Sequence, residues 1–177
     1  EWLEVLSIAI VVVVFVFSFI FRAATIDGSS MMNTLHHQDK VIITNFNYTP
    51  KRGDIVVVSR NIENSISSQD TSEEPIIKRV IATGGETVDI DFETGTVYID
   101  GVALKEDYLG SPTYQKYDVE FPLYIPKGCV FLLGDNRADS LDSRSSRIGN
   151  GGIVDSRYIL GRAVFRFFPF SSMGALN

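Results

Sequence analysis

The chain is short of several things that would place it quickly. It has one cysteine, Cys129, among 177 residues, so no internal disulfide can close and no cysteine-based metal site can be built. Its 22 acidic side chains outnumber 16 basic ones, for a net charge of −6, which leaves no basic stripe to meet phosphates and argues against nucleic acid as a partner. No internal repeat is present, and no helical period is sustained beyond Thr25. Only two histidines occur, His36 and His37, adjacent in a hydrophilic turn. What remains is 45% hydrophobic, with 14 glycines against 6 prolines, as fits one globular domain with an appended segment.

The appended segment is N-terminal. Residues 5–21 are almost all Val, Ile, Phe, Leu or Ala, interrupted by Ser7 and Ser18. With Trp2 and Leu3 in front, the stretch reaches the ~20 residues that cross ~30 Å of hydrocarbon. Trp2 suits one membrane interface and Arg22 the other. A cleaved signal peptide is the rival reading, and Ala23-Ala24 is weakly compatible with it. Its apolar region would run only ~7–15 residues, however, and this one is longer and bulkier. The expectation is an uncleaved transmembrane anchor over residues 1–22. Glu1, Glu4 and Arg22 alone would put the rest of the chain in the cytoplasm. The chain begins with Glu rather than Met, which leaves room for a basic upstream tail, so these local charges do not decide orientation.

Beyond Thr25 the pattern is β. Short β-branched or aromatic runs occupy residues 40–44, 54–58, 76–81, 87–91, 96–100 and 163–167, separated by Gly, Asn, Asp and Pro. Glu93-Thr94-Gly95 reads as a hairpin turn with glycine at a positive φ. Residues 61–74 are polar and read as a mobile surface loop. Cys129 opens an apolar run, Val130-Phe131-Leu132-Leu133, and reads as a core thiol. An all-β domain follows from this pattern alone.

Two polar residues set in apolar runs could carry chemistry. Ser30 lies in Gly28-Ser29-Ser30-Met31-Met32, and Lys78 in Ile76-Ile77-Lys78-Arg79-Val80-Ile81. A serine hydroxyl is a weak nucleophile until an adjacent base takes its proton, and a lysine can serve only when desolvated. Full burial lowers a lysine pKa from ~10.4 by as much as ~3–5 units. Gly28 lets the backbone turn so that successive amides could aim at one oxyanion. Gly-Ser-Ser is also an ordinary stalk sequence. A third segment, Gly134-Asp135-Asn136-Arg137-Ala138-Asp139-Ser140-Leu141-Asp142-Ser143-Arg144, is dense enough in hydrogen-bonding groups to fix an ammonium in a buried network. A calcium loop is its rival, but the glycine and terminal glutamate of an EF-hand are missing and two arginines would repel the ion. A Ser-His-Asp triad through His36 or His37 is the other alternative. Triads are recognised by geometry rather than spacing, but both histidines read as solvent-exposed. Replacing them should leave activity largely intact, whereas Lys78→Ala should abolish it.

The chain resembles the type I signal peptidases (leader peptidases), serine/lysine proteases of the S26 family, in the short single-anchor form of Gram-positive bacteria. Four boxes carry the resemblance in order: Ile26-Asp27-Gly28-Ser29-Ser30-Met31-Met32-Asn33-Thr34-Leu35; Arg52-Gly53-Asp54-Ile55-Val56-Val57-Val58; Ile77-Lys78-Arg79-Val80-Ile81-Ala82-Thr83-Gly84-Gly85-Glu86-Thr87-Val88; and the run from Gly134 to Arg144. The resemblance implies Ser30 as nucleophile, Lys78 as general base, the Ser30 and Gly28 amides as oxyanion donors, and Met31 packed beneath the site. It implies that Ser140 hydrogen-bonds the lysine amine, with Asp142 and Arg144 holding that loop and Asp135 and Arg137 structural. It implies no metal and no cofactor. The implied partners are secretory preproteins cut after small residues (Ala-x-Ala), the lipid bilayer and, as a further candidate, the Sec translocase. The implied location is the cell membrane, single-pass, with the peptidase domain (residues 23–177) extracytoplasmic. The implied fold is mainly β: an antiparallel β-sheet catalytic core with a smaller β insertion at about residues 87–126, preceded by one N-terminal transmembrane helix. Two departures from the family pattern stand out. Asn33 replaces the usual proline, and Gly84-Gly85-Glu86 replaces Pro-Gly-Asp, which predicts looser turns at both places. A Ser/Lys protease with a dedicated partner differs in failing to cut an Ala-x-Ala preprotein. A non-catalytic anchored β-domain would tolerate Ser30→Ala.

Overall fold

A computed structural model of the chain describes residues 1–59 and 74–176, apart from the side chains of residues 16–19. Residues 61–73 of the expected polar loop lie outside the described residues.

Helix α1 (Trp2–Ile20) opens the chain. No helix among the described residues is long and apolar enough to cross a membrane. The helix gives way at Phe21, already extended at φ −116° and ψ 138°, so the apolar run read as one segment is divided between helix and strand.

Among the described residues twelve strands follow: β1 (Phe21–Thr25), β2 (Lys40–Thr44), β3 (Ile55–Val58), β4 (Ile76–Thr83), β5 (Thr87–Asp91), β6 (Thr96–Ile99), β7 (Val102–Ala103), β8 (Leu123–Tyr124), β9 (Cys129–Leu133), β10 (Val154–Asp155), β11 (Ile159–Phe168) and β12 (Gly174–Ala175). They form two antiparallel sheets. The larger has the order β1-β2-β11-β3-β4-β9-β10, with β12 added to β11, and the smaller β7-β6-β5-β8.

Side-chain alternation explains the layers. Ile55 and Val57 of β3 point into one core with Ile26, Met31, Leu35, Val41 and Ile43; Val56 and Val58 point into a second with Val80, Val130 and Leu132. β3 is buried on both faces, as a central strand should be. The smaller sheet packs Val88, Ile90, Val97 and Ile99 against Ile81, Phe131 and Leu133 of the larger. Cys129 is only half-buried, not a core residue; its thiol pKa is raised, chiefly by desolvation.

The expected loosening after the lysine strand is not found. A side chain at Gly84 would lie 2.7 Å from Lys127 Cα and Pro126 O, so the two backbones meet there and only glycine fits. Glu86 Oε2 accepts the Thr83 amide at 2.7 Å and closes the turn.

Candidate active site

The nucleophile loop hangs between β1 and β2. Ile26 and residues 38–39 close its neck through backbone hydrogen bonds of 2.8 and 2.9 Å. Buried Met31 and Leu35 anchor its underside in the core beside Ile77, and burying such a side chain contributes about 1.5–3 kcal/mol. Gly28 takes φ +91°, open to glycine. The chain beyond Ser29 coils into one tight turn, with the Leu35 amide on the Met31 carbonyl at 2.8 Å. Asn33 sits at φ 80°, a left-handed conformation that asparagine tolerates and proline cannot adopt. The difference from the family pattern therefore reaches the backbone of this turn.

Lys78 reaches the same point from β4. Its Nζ lies 2.7 Å from Ser30 Oγ and donates to the Ile77 carbonyl at 3.0 Å. The residue is 4% exposed. Among the described residues the Ser30 amide donates to no protein acceptor. The Gly28 amide instead meets His37 Nδ1 at 3.4 Å, and that ring also lies 3.0 Å from Asp27 Oδ1. Both histidines are exposed, and neither ring is paired with Ser30.

The loop after β9 supports this pair. A side chain at Gly134 would lie 2.5 Å from the Ser30 carbonyl and 2.2 Å from Ser140 Oγ, so the backbone passes against both. Asn136 holds two carbonyls of the nucleophile loop: its amide donates to Ser30 O at 3.0 Å and its Nδ2 to Ser29 O at 3.1 Å. Ser29 Oγ donates to Asp139. Asp142 and Arg144 form a fully buried pair, Nε–Oδ1 2.8 Å and Nη2–Oδ2 2.9 Å, and Asp142 also accepts the Gly134 amide at 3.1 Å. One prediction fails here: Ser140 Oγ is buried without a hydrogen-bond partner, so it does not bond the lysine amine. Instead the Ser140 carbonyl is held, by Tyr117 Oη at 3.1 Å and Arg144 Nη2 at 3.3 Å.

Arg79 escaped prediction as a supporting residue. It pairs bidentately with Asp135 at 2.8 and 2.7 Å, donates to the Gly53 carbonyl at 2.7 Å, and lies over the Tyr108 ring at 4.0 Å. Two adjacent cations in a buried strand need two separate sets of partners, and that is the signal by which the sequence could have disclosed it. Among the described residues no cluster of His, Cys, Asp or Glu could hold a metal ion.

A cleft of about 720 Å³ opens at Ser30 and Lys78. Its lining includes Ala24 to Gly28 at the end of β1, Ile76 and Ile77 of β4, and Leu141 and Leu160. Among the described residues β1 is paired only with β2. β9 joins β4 only from Arg79 onward, so Ile76 and Ile77 have a strand neighbour on one side alone among the described residues.

A hydroxyl and a buried amine in hydrogen-bond contact, on the wall of an apolar cleft in an antiparallel β-fold, have the parts that acyl transfer to serine requires. The chain belongs to the signal peptidase family, peptidase S26, whose profile matches residues 1–168, and it is a hydrolase of that family. A signal peptidase I of Bacillus amyloliquefaciens is 36% identical over 98% of this chain and 87% of its own length. Signal peptidase I T of Bacillus subtilis is 34% identical with the same coverage, and a signal peptidase I of Leptolyngbya laminosa is 34% identical over 100% of this chain and 83% of its own. A crystal structure of a signal peptidase I from Enterococcus faecalis, 31% identical, covers 65% of this chain and 97% of its own at a TM-score of 0.48.

Proposed function

We propose that the chain is a membrane-bound serine endopeptidase that removes signal peptides from secreted preproteins after small residues, as in Ala-x-Ala, using Ser30 and Lys78 as a catalytic dyad. The observation that carries this reading is the 2.7 Å contact between Ser30 Oγ and a lysine amine that is 4% exposed.

Neutral Lys78 takes the Ser30 proton as Oγ attacks the scissile carbonyl. The Ser30 amide, which has no acceptor among the described residues, supports the oxyanion; in other acyl-transfer enzymes losing one such donor costs ~10²–10³ in rate. The Gly28 amide contributes after turning from His37. Lys78 then protonates the leaving amine, leaving an acyl-enzyme on Ser30. Water activated by the same amine releases the acyl group. Met31 packs beneath the site and helps exclude water from it, while Asp142, Arg144 and Ser140 keep the Gly134 backbone beside Ser30. The two strand edges flanking the cleft, which have no further strand neighbour among the described residues, suit a substrate added as an extended strand, with small side chains against Leu141 and Leu160.

α1 anchors this domain in the bilayer on the extracytoplasmic face. Val5, Leu6, Ile8, Ile10, Val11, Val12, Val13, Val14 and Phe15 are each more than half exposed, and a helix apolar on every side needs apolar surroundings. Its 19 residues span about 28 Å at ~1.5 Å each. Domain boundaries follow: an anchor over 1–22 and a peptidase domain over 23–177, with an insertion at about 87–126. The Sec translocase is a candidate neighbour, since it delivers the same preproteins. Confining enzyme and substrate to one surface raises their effective concentration.

The test is cleavage of a purified preprotein bearing an Ala-x-Ala site by the full chain in lipid vesicles. The parent should cut after the second Ala and Ser30→Ala should not. Equal cleavage by both would overturn the reading.

A further inference from the structure

Residues 106–113 belong to no strand of either sheet, yet they touch all three segments that build the candidate site. Glu106 grips Arg137: its Oε2 accepts Nη1 at 3.1 Å, its Oε1 accepts Nη2, and the arginine is 1% exposed. Thr113 Oγ1 accepts from the same guanidinium. Arg137 in turn donates from Nε to the Gly134 carbonyl at 3.0 Å, the residue whose backbone abuts Ser30. Tyr108 lies beneath Arg79 at 4.0 Å and donates its hydroxyl to Glu106 Oε1 at 2.7 Å. Arg79 follows Lys78 directly in β4. Gly110 lies so close to the nucleophile loop that a side chain there would come within 2.3 Å of Asn33 Nδ2.

The far end of the segment is tied to the smaller sheet. The Thr113 amide donates to the Gly95 carbonyl at 2.8 Å, and Gly95, at φ +71°, could not carry a side chain without striking Pro112. The hairpin turn between β5 and β6 therefore clamps one end of an otherwise irregular segment. The two arginines it covers are buried charges, and each already has core partners: Asp135 for Arg79, the Gly134 carbonyl for Arg137. The segment adds to each a contact that the core does not supply.

We propose that residues 106–113 form a strap that sets the position of Ser30 against Lys78, with Glu106 and Tyr108 as positioning residues. This rests on the dyad reading above. The path is short in both directions. Tyr108 acts through Arg79 on the residue beside it in β4, and Glu106 acts through Arg137 on Gly134 and thence on the Ser30 carbonyl. The insertion is then part of how the site is assembled, not a separate appendage. Neither Glu106 nor Tyr108 is among the residues lining the cleft, so they should affect turnover more than binding.

The test measures kcat and KM for a fluorogenic Ala-x-Ala peptide with the full chain in detergent micelles. The variants are Tyr108→Leu, Tyr108→Phe and Glu106→Gln, each with a thermal melt and a pH–rate profile. Misplacing reacting groups by about 1 Å costs on the order of 10²-fold in rate, so Tyr108→Leu and Glu106→Gln should lower kcat about 10- to 100-fold with little change in KM. Tyr108→Phe keeps the ring under Arg79 and should recover most of the loss; it also serves if Tyr108→Leu does not fold. A folded Tyr108→Leu with parental kcat, a rise in KM alone, or a Tyr108→Phe as impaired as Tyr108→Leu would overturn the strap. Inactivity of Ser30→Ala alongside a fully active Tyr108→Leu would refute the strap alone; full activity of Ser30→Ala would refute the dyad itself.

Discussion

Arg144→Met tests the buried support of the site. Arg144 and Asp142 are both 0% exposed, and the guanidinium makes four hydrogen bonds: two to Asp142 at 2.8 and 2.9 Å, one to Gln115 O at 2.9 Å and one to Ser140 O at 3.3 Å. Methionine fills similar volume but leaves the Asp142 carboxylate buried with two backbone donors, the Gly134 and Arg144 amides at 3.1 and 3.2 Å. Removing one partner of a buried pair costs about 3–5 kcal/mol. At ~2–4 °C per kcal/mol for a domain of this size, the melting temperature should fall by about 6–20 °C. Adding Asp142→Asn to the same chain removes the stranded charge, so the double variant should recover about 0.5–3 kcal/mol relative to the sum of the singles. Calorimetry of the full chain in micelles at neutral pH reads both numbers. A melting temperature within about 2 °C of the parent, or strictly additive losses, would refute the idea that this pair holds the loop.

Two further outcomes follow from the same structure. Asn33→Pro, which restores the residue usual in the family, should destabilise this chain by more than about 1 kcal/mol because proline cannot reach φ 80°, while Asn33→Gly should be nearly neutral; a stabilised proline variant in a chemical denaturation series would contradict the turn as described. Tyr48 and Tyr108 have phenol pKa values raised above the ordinary range, chiefly by burial, with Asp54 and Glu106 as their acidic neighbours. A raised folded value means stability that is complete below about pH 10, the ordinary phenol pKa, and lost as pH climbs beyond it. Ultraviolet titration should find these two phenols ionising only as the protein unfolds, and their reversible ionisation near pH 10 with native circular dichroism retained would count against their burial.

Much of the fold could be read from alternation. β2, β5 and β6 present buried and exposed residues in turn, and the sequence pattern finds each of them. A short strand below the anchor is expected, but its start is not marked by composition, because β1 takes its first residue, Phe21, from the apolar run whose earlier part is helix. The two-residue strands β10 and β12 are set by their neighbours rather than by any local preference. In the site, Lys78 and Ser30 stood out as polar groups in apolar settings. Their supporting contacts did not, because Arg79 finds Asp135 56 positions away and Arg137 finds Glu106 31 positions away. No local period encodes such pairings. The turn after the lysine strand was misjudged for the same reason, since Gly84 is fixed by the backbone of residues 126–128 rather than by its own sequence.

The pH dependence of kcat/KM for preprotein cleavage, measured side by side with Lys78→Ala, tests the dyad most directly. A base must be unprotonated to accept the hydroxyl proton, so the rate should rise with pH through one inflection near neutrality or mildly alkaline pH, and that limb should vanish together with activity in Lys78→Ala. A flat profile, or a Lys78→Ala chain that still cleaves with the parental pH dependence, would contradict the assignment of this amine as the base.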